Sequence, residues 1–191
     1  EQRIVHSAEM LDRKSLASVG DTTGERLTAL LTETKAHTPE ELAANVARIG
    51  ELLGRFALYV PARFTDDPAE QAKYWAVRSG IFPAVGGSRP AGTTCLSEDV
   101  AFHIEDLPRA TAELQALIAR HGYDACIYGH ALEDNYHFII NQSFSPPAEV
   151  ARYEALMNDV AELVSAGTTA RSKPSMARGA TWRPSSAASR A

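Results

Sequence analysis

The spacing of apolar residues divides the chain into helical and strand-like segments. In four segments the apolar residues recur every three or four positions, and capping residues or prolines stand at their starts. The clearest start is Thr38-Pro39-Glu40-Glu41, where a threonine cap precedes a proline in the first helical turn. We predict helices at residues 39–54, 67–79, 107–120 and 147–164.

Strand-like segments lie between these helices. Short runs that are β-branched, aromatic or alternately apolar predict strands at residues 26–35, 56–60, 98–104, 125–128 and 136–141. Glycines and prolines predict a loop at residues 80–94, with a turn at residues 86–89. The order β-α-β followed by β-α-β-β-α indicates an α+β domain with a ferredoxin-like antiparallel sheet and helices on one face.

The composition indicates a globular domain followed by a basic tail. Of the 19 basic and 24 acidic residues, residues 165–191 hold five basic residues and no acidic one, so residues 1–164 carry a formal charge of −10. We expect a domain over residues 1–164 and a disordered, low-complexity tail over residues 165–191. Because the first residue is glutamate, we also expect a piece of a longer protein.

The same composition disfavours several classes of protein. The net charge of −5 argues against a nucleic-acid partner. No apolar run approaches the roughly 20 residues of a membrane span. Cys95 and Cys126 are far apart in sequence, so we expect no disulfide framework, zinc ribbon or iron–sulfur site held by this chain alone.

Two histidines bracket the connection between the last two predicted strands. His130 and His137 are separated by a segment that a tight turn would close, which would bring both imidazoles to one metal ion. A catalytic zinc site usually has three protein ligands, and histidines at strand ends are also ordinary structural residues. The spacing alone leaves both interpretations open.

Arg78 is the second candidate, because it precedes a glycine-rich segment. An arginine in that position is suited to bind a carboxylate through two parallel hydrogen bonds. A cation is also favoured at a solvated helix C-terminus, where Arg78 is predicted to lie. The local sequence does not separate the two roles.

Three segments share a further pattern. They are Trp75-x-x-Arg78, Gly92-Thr93-Thr94 with residues 98–102, and Tyr128-Gly129-His130-Ala131-Leu132-x-x-Asn135-x-His137-Phe138. Together they resemble the C-terminal cap domain of FAD-linked oxidases, and residues 8–13 resemble the segment that opens this cap. The resemblance covers about residues 8–164. It is closest to large members that oxidise D-lactate, glycolate or D-2-hydroxyglutarate and carry an iron–sulfur region.

The resemblance implies a role for each candidate residue. In this family an N-terminal domain binds FAD, so the FAD-binding domain of the parent chain is the expected partner. His130 and His137 would bind a divalent ion such as Zn or Mn, and Arg78 would bind the carboxylate of a small 2-hydroxy acid. Asn135 would take part in binding the cofactor. The parent protein would hold 4Fe-4S clusters elsewhere. We expect a cytoplasmic location, with peripheral association at the inner membrane through the electron acceptor as the alternative.

Two positions depart from the family pattern. Asp134 stands where the family normally has glycine, in a turn that requires positive φ, which aspartate tolerates at some cost. Ile139 stands where the family often has asparagine. This second departure affects the expected substrate contacts and leaves the identity of the 2-hydroxy acid open.

A further family motif, Glu-His-Gly-x-Gly, is absent from the chain as written. In the family its glutamate completes the metal site and its histidine is the catalytic base. The motif can be encoded in another reading frame of the DNA. If each codon is formed from the third base of one given codon and the first two bases of the next, suitable codon choices let residues 168–184 be reread as a sequence that contains this motif. Our hypothesis is that residues from about 165 onward are an out-of-frame translation, with a genuine tail as the rival. We predict that the chain alone is inactive.

A free-standing module is the alternative to an enzyme fragment. A ferredoxin-like domain of this charge would also suit a module that binds a small ligand or a metal, or that dimerises, without catalysis. An upstream FAD-binding domain in the same reading frame would favour the enzyme, and a start codon just before Glu1 would favour the module.

Overall fold

The structure, a computed structural model, describes residues 4–21, 24 and 27–169, with side chains as far as Ala166. The predicted tail lies outside the described residues beyond Thr169. No helix in the described part of the chain combines the length and apolarity that a bilayer span requires. The described elements are β1 (Ser7–Leu11), α1 (Arg13–Ser18), β2 (Ala29–Glu33), α2 (Pro39–Leu53), α3 (Pro68–Gly87), β3 (Thr94–Ala101), α4 (Leu107–Arg120), β4 (Cys126–His130), β5 (Asn135–Gln142) and α5 (Pro147–Thr169).

The strands form one antiparallel sheet in the order β2-β1-β4-β5-β3. The predicted α+β class and antiparallel sheet are therefore confirmed. Helices α4 and α5 cover one face, where Leu114, Phe138 and Leu156 are fully buried. The other face carries α1 and the C-terminal half of α3, around Leu16 and Ile81. Helices thus lie on both faces and not on one as expected, because the central strands present apolar side chains to both sides.

Helices begin where capping chemistry predicts. The Thr38 hydroxyl accepts a hydrogen bond from the Glu41 backbone N–H at 3.1 Å and starts α2. The Asp67 carboxylate accepts one from the Ala69 N–H at 2.9 Å and starts α3. Helix α4 spans the predicted residues, and α5 starts as predicted but continues to Thr169.

Helix α3 is longer than predicted, and the prediction of a loop beginning at Gly80 is wrong for residues 80–87. The helix passes through Pro83 and ends at Gly87. Ile81 is fully buried and Val85 is half-buried in the apolar cluster beneath the sheet. The free energy gained by burying these side chains outweighs the cost of the hydrogen bond that the proline cannot donate.

The predicted strand at residues 56–60 is also wrong, since these residues form an irregular connection between α2 and α3. Phe56 and Tyr59 are 67% and 64% exposed. Aromatic and β-branched residues favour a strand only where a neighbouring strand and a core support it. Strand β1 and helix α1 were not predicted, although β1 is an interior strand between β2 and β4. Strands β2 and β3 are confirmed with shifted bounds.

Candidate functional site

Strand pairing places a row of polar side chains across the sheet. Glu9 of β1 lies opposite His130 of β4, and Asp99 of β3 lies opposite His137 of β5. His130 also pairs with Asn135, two positions before His137. Because directly paired residues share a face and side chains alternate along a strand, all five residues face the same side. Glu9, His130, His137 and Asp99 together form what we call the carboxylate–histidine row.

Each histidine of this row is held by a carboxylate through the same ring nitrogen. Nδ1 of His130 lies 2.5 Å from Oε1 of Glu9, and Nδ1 of His137 is hydrogen-bonded to Oδ1 of Asp99. The two rings are nearly perpendicular, with centroids 5.4 Å apart. With Nδ1 engaged by an acceptor, Nε2 is the nitrogen that each ring retains for a ligand. Carboxylate-supported histidines of this kind are typical of metal ligands.

Arg78 reaches the row from α3 and binds the same carboxylate as His130. Its Nε donates to Oε2 of Glu9 at 2.9 Å, and the Glu9 side chain is 4% exposed. The Arg78 side chain is 18% exposed. Since α3 continues beyond it, Arg78 does not lie at a solvated helix end. The structure therefore excludes the solvated helix end that the sequence left open for this residue and shows an ion pair with Glu9 instead.

Tyr128 forms the apolar floor beside these groups. Its ring centroid lies 5.3 Å from that of His137, and the Arg78 guanidinium lies over the Tyr128 ring. Burial raises the pKa of the Tyr128 phenol, against the opposing effects of the Arg78 charge and a hydrogen bond with Ser97. The phenol is thus neutral at physiological pH and supports the site by packing.

Asn135 completes the polar face at the start of β5. Its Oδ1 atom is buried and accepts no hydrogen bond from any residue that the structure describes. A buried acceptor without a donor is costly, and such atoms often mark a place where a ligand or water binds. The preceding residue, Asp134, has φ of 60°, so the turn does require the left-handed backbone that the family's glycine implied.

The apolar part of this face begins immediately beyond the histidines. Ile139 is fully buried and packs in the cluster that includes Leu11 and Ile81. Where the family often has an asparagine, this chain therefore has a core residue. Along β5, the polar residues of this face therefore stop at His137. The next polar residue on the face is Asn141, whose buried Oδ1 also has no donor among the described residues.

The structure brings the four predicted site residues, Arg78, His130, His137 and Asn135, to one face of the sheet. Sequence reasoning missed the carboxylates that support them. Glu9 is the one charged residue within the otherwise apolar stretch of residues 8–11, and this isolated charge was the available signal. Asp99 gave no comparable signal, because it lies in an ordinary alternating strand. In the described part of the chain, no three histidine, cysteine, aspartate or glutamate residues cluster as a metal site. The motif predicted from the tail lies outside the described residues.

Comparison with known proteins places the chain in a family. No curated protein matches the sequence significantly. Among solved structures, the chain is similar to 4-ethylphenol oxidase from Gulosibacter chungangensis in an isoeugenol complex, with 13% identity and a TM-score of 0.49. The match covers 84% of this chain and 37% of that one, so the chain spans little more than a third of the oxidase. Residues 1–168 match the family described as FAD linked oxidases, C-terminal domain, and the chain belongs to that family.

Proposed function

We propose that this chain is the substrate-side cap of a flavin-dependent D-2-hydroxy-acid dehydrogenase of the D-lactate, glycolate or D-2-hydroxyglutarate type. One observation carries the proposal. A guanidinium and two imidazoles lie on the same face of the sheet, and Glu9 joins Arg78 directly to His130. A 2-hydroxy acid carries a carboxylate and a hydroxyl on adjacent carbons, which is the pair of groups that such a site would bind.

Arg78 is the proposed partner of the substrate carboxylate. Its Nε is engaged by Glu9, so the carboxylate would be bound through the terminal nitrogens of the guanidinium. The contact with the Tyr128 ring and the hydrogen bond to Glu9 hold the guanidinium in place before substrate arrives. A cation held in advance loses little freedom on binding and orients the acid for oxidation.

His130 and His137 are the proposed ligands of a divalent ion, Zn or Mn. Their donor chemistry fits, since two neutral imidazoles with Nδ1 engaged by carboxylates are suited to bind through Nε2. When bound, the ion would supply Lewis-acid polarisation of the substrate hydroxyl as hydride leaves for the flavin. Two histidines are fewer than the three protein ligands usual for catalytic zinc. The proposal therefore requires a further ligand, which we assign to the glutamate of the missing Glu-His-Gly-x-Gly motif.

Other parts of the parent protein complete this proposal. FAD would be bound mainly by its N-terminal domain, with Asn135 on the cofactor side of the cap. Electrons would pass on through 4Fe-4S clusters outside this chain, in the cytoplasm or at the inner membrane surface. We therefore expect the purified 191-residue chain to reduce no dye with D-lactate, glycolate or D-2-hydroxyglutarate. Turnover by this chain alone would contradict the proposal.

Metal binding by the purified chain tests the ligand assignment. Calorimetric titration with Zn²⁺ would compare the wild type with His130→Ala and His137→Ala. We expect each substitution to weaken binding by about tenfold or more. His103→Ala is the matched control, because this exposed histidine lies outside the row and should leave the affinity unchanged. Equal affinity in all four proteins would remove the assignment.

The reading frame of the tail is tested at the DNA level. The codons from Val164 to the end of the given sequence, and the DNA beyond them, would be sequenced directly. A second frame that continues through Glu-His-Gly-x-Gly would support both the out-of-frame hypothesis and the missing ligand. An intact given frame with a stop codon after Ala191 would favour the genuine tail and the non-catalytic module.

A further inference from the structure

Glu9 divides its two carboxylate oxygens between two residues that are distant in sequence. Oε2 accepts the hydrogen bond from Nε of Arg78 at 2.9 Å, and Oε1 lies 2.5 Å from Nδ1 of His130. The Glu9 side chain is 4% exposed, so water does not replace these partners. One buried carboxylate thus contacts both the proposed carboxylate-binding residue and a proposed metal ligand.

The donor inventory determines which proton arrangement this geometry allows. A guanidinium only donates, and a carboxylate only accepts, so the Arg78 contact assigns Glu9 as an acceptor. A neutral His130 ring must then carry its proton on Nδ1 to satisfy Oε1. That tautomer leaves the lone pair on Nε2, the nitrogen on the side away from Glu9.

We propose that Glu9 is the positioning residue of this site. It selects the Nδ1–H tautomer of His130, directs the Nε2 lone pair outward for a ligand, and holds Arg78 at a set distance from that ligand position. Glu9 itself touches neither substrate nor ion. The inference rests on the proposed function for the identity of the ligand, whereas the tautomer of His130 is independent of it.

A glutamine at position 9 distinguishes the hydrogen-bonding role of Glu9 from the effect of its side-chain size. The substitution Glu9→Gln keeps the shape but offers one acceptor oxygen and one donor amide. One of the two N–H groups that donate to Glu9 would then face the amide N–H group of the glutamine. Arg78 cannot become an acceptor, whereas His130 can, by moving its proton from Nδ1 to Nε2. We therefore expect the amide oxygen to remain with Arg78 and His130 to change tautomer, which removes its lone pair from Nε2.

Long-range ¹H–¹⁵N correlation spectra of the ¹⁵N-labelled, metal-free 191-residue chain identify the tautomer of each histidine. His130→Ala assigns the His130 signals. We expect the Nδ1–H form of His130 in the wild type and the Nε2–H form in Glu9→Gln. Glu98→Gln removes the same charge from a strand of the same sheet, on the face where Glu98 contacts Tyr153, and should retain the wild-type tautomer.

Zinc affinity provides the second readout. We expect Glu9→Gln to raise the Kd for Zn²⁺ by about 10- to 100-fold, the range for loss of a supporting carboxylate. Asp99→Asn should raise it less, because the Asp99 side chain is 63% exposed and water can take its place beside His137. Glu98→Gln should bind zinc as the wild type does.

The outcomes separate this inference from the proposed function. An Nε2–H tautomer of His130 in the wild type would overturn the role of Glu9. This measurement tests the proposal even if Glu9→Gln does not fold. An unchanged tautomer in folded Glu9→Gln would overturn it as well. A tautomer change in Glu9→Gln together with equal zinc affinity in the wild type, His130→Ala and His137→Ala would support positioning by Glu9 and remove the metal assignment instead.

Discussion

The Arg78 guanidinium lies over the ring of Tyr128, with Cζ 4.7 Å from the ring centroid. Tyr128 precedes His130 by two residues in β4, so the two side chains share a face of the sheet. Arg78 therefore connects α3 to β4 through this stacking contact and to β1 through the Glu9 carboxylate. One cationic side chain with two different partners thus adds polar contacts between the helix and the sheet to the apolar packing of Ile81.

Loss of Arg78 should destabilise the fold through the charge that it leaves behind. We expect Arg78→Ala to lower the free energy of unfolding by about 3 kcal/mol, because the buried Glu9 carboxylate loses its cation. Arg78→Lys should cost about 1 kcal/mol, since it keeps the charge and loses the planar contact with Tyr128. Urea denaturation of the three proteins measures both differences.

The control for this prediction is an arginine with exposed partners. Arg109 pairs with Glu113 one turn away on the surface of α4. We expect the free energy of unfolding of Arg109→Ala to equal that of the wild type within experimental error, because solvent screens such pairs. If Arg78→Ala and Arg109→Ala lost the same free energy of unfolding, burial of the Glu9–Arg78 pair would not explain the loss at Arg78.

Gly129 lies where β4 approaches the backbone of β5. An added Cβ would be 2.5 Å from the Asn135 carbonyl oxygen and 2.8 Å from Cα of Tyr136. Because both atoms belong to the backbone, the strands themselves would have to separate. We expect Gly129→Ala to cost about 2 kcal/mol or more and to weaken zinc binding at the adjacent His130. Urea denaturation and zinc titration report the two effects.

Gly50 provides the matched substitution for Gly129. It lies inside α2, and an added Cβ would meet no atom within 4 Å. We expect Gly50→Ala to gain about 0.5–1 kcal/mol, since alanine restricts the unfolded chain and favours the helix. A similar response of both variants would argue that a general effect of alanine, rather than the close approach of β5, decides the outcome at Gly129.

Asp134 adopts a left-handed backbone with φ of 60° in the turn between β4 and β5. Its buried Oδ1 accepts no hydrogen bond from the described residues. Glycine removes both the steric cost and the unpaired oxygen, although it also loosens the unfolded chain. We expect Asp134→Gly to raise the free energy of unfolding by about 0.5 kcal/mol, as measured by thermal melting. Asp134→Ala retains the Cβ, so it should be less stable than the glycine variant, and the reverse order would contradict this explanation.

Asp12 caps α1 from a largely buried position. Its Oδ1 accepts a hydrogen bond from the Ser15 N–H at 2.8 Å, and burial raises the pKa of Asp12 above the ordinary 3.8. The folded chain thus holds this proton more tightly than the unfolded chain does. The resulting stability is present below pH 3.8 and is lost as the pH rises through the raised pKa.

This sign predicts a pH-dependent benefit from removing the charge. Asparagine retains a capping oxygen, so Asp12→Asn should gain stability relative to the wild type as the pH rises from about 3 to about 7. Urea denaturation at several pH values gives this difference. Asp66→Asn, at an exposed position, is the surface control. A difference for Asp12→Asn that stays flat or falls with pH would contradict the effect of burial.

Local sequence determined the elements whose stability is local. Thr38 and Asp67 predicted the starts of α2 and α3 because a cap needs only the next three residues. The spacing of His130 and His137 predicted that both would flank one connection, since β4 and β5 are joined by a short turn. The likeness to FAD-linked oxidases rested on the same continuous segments, and the family match bears it out.

Tertiary structure decided whatever depends on partners distant in sequence. Residues 56–60 have the composition of a strand, but no strand that the structure describes lies beside them. Helix α3 runs through glycines and a proline because Ile81 is buried in its C-terminal half. Glu9 stands out in the sequence only as an isolated charge, and the antiparallel sheet places it opposite His130 while α3 brings Arg78 to its other oxygen. Pairing of this kind depends on the register of the sheet and the path of a helix, which propensities within a few residues do not encode.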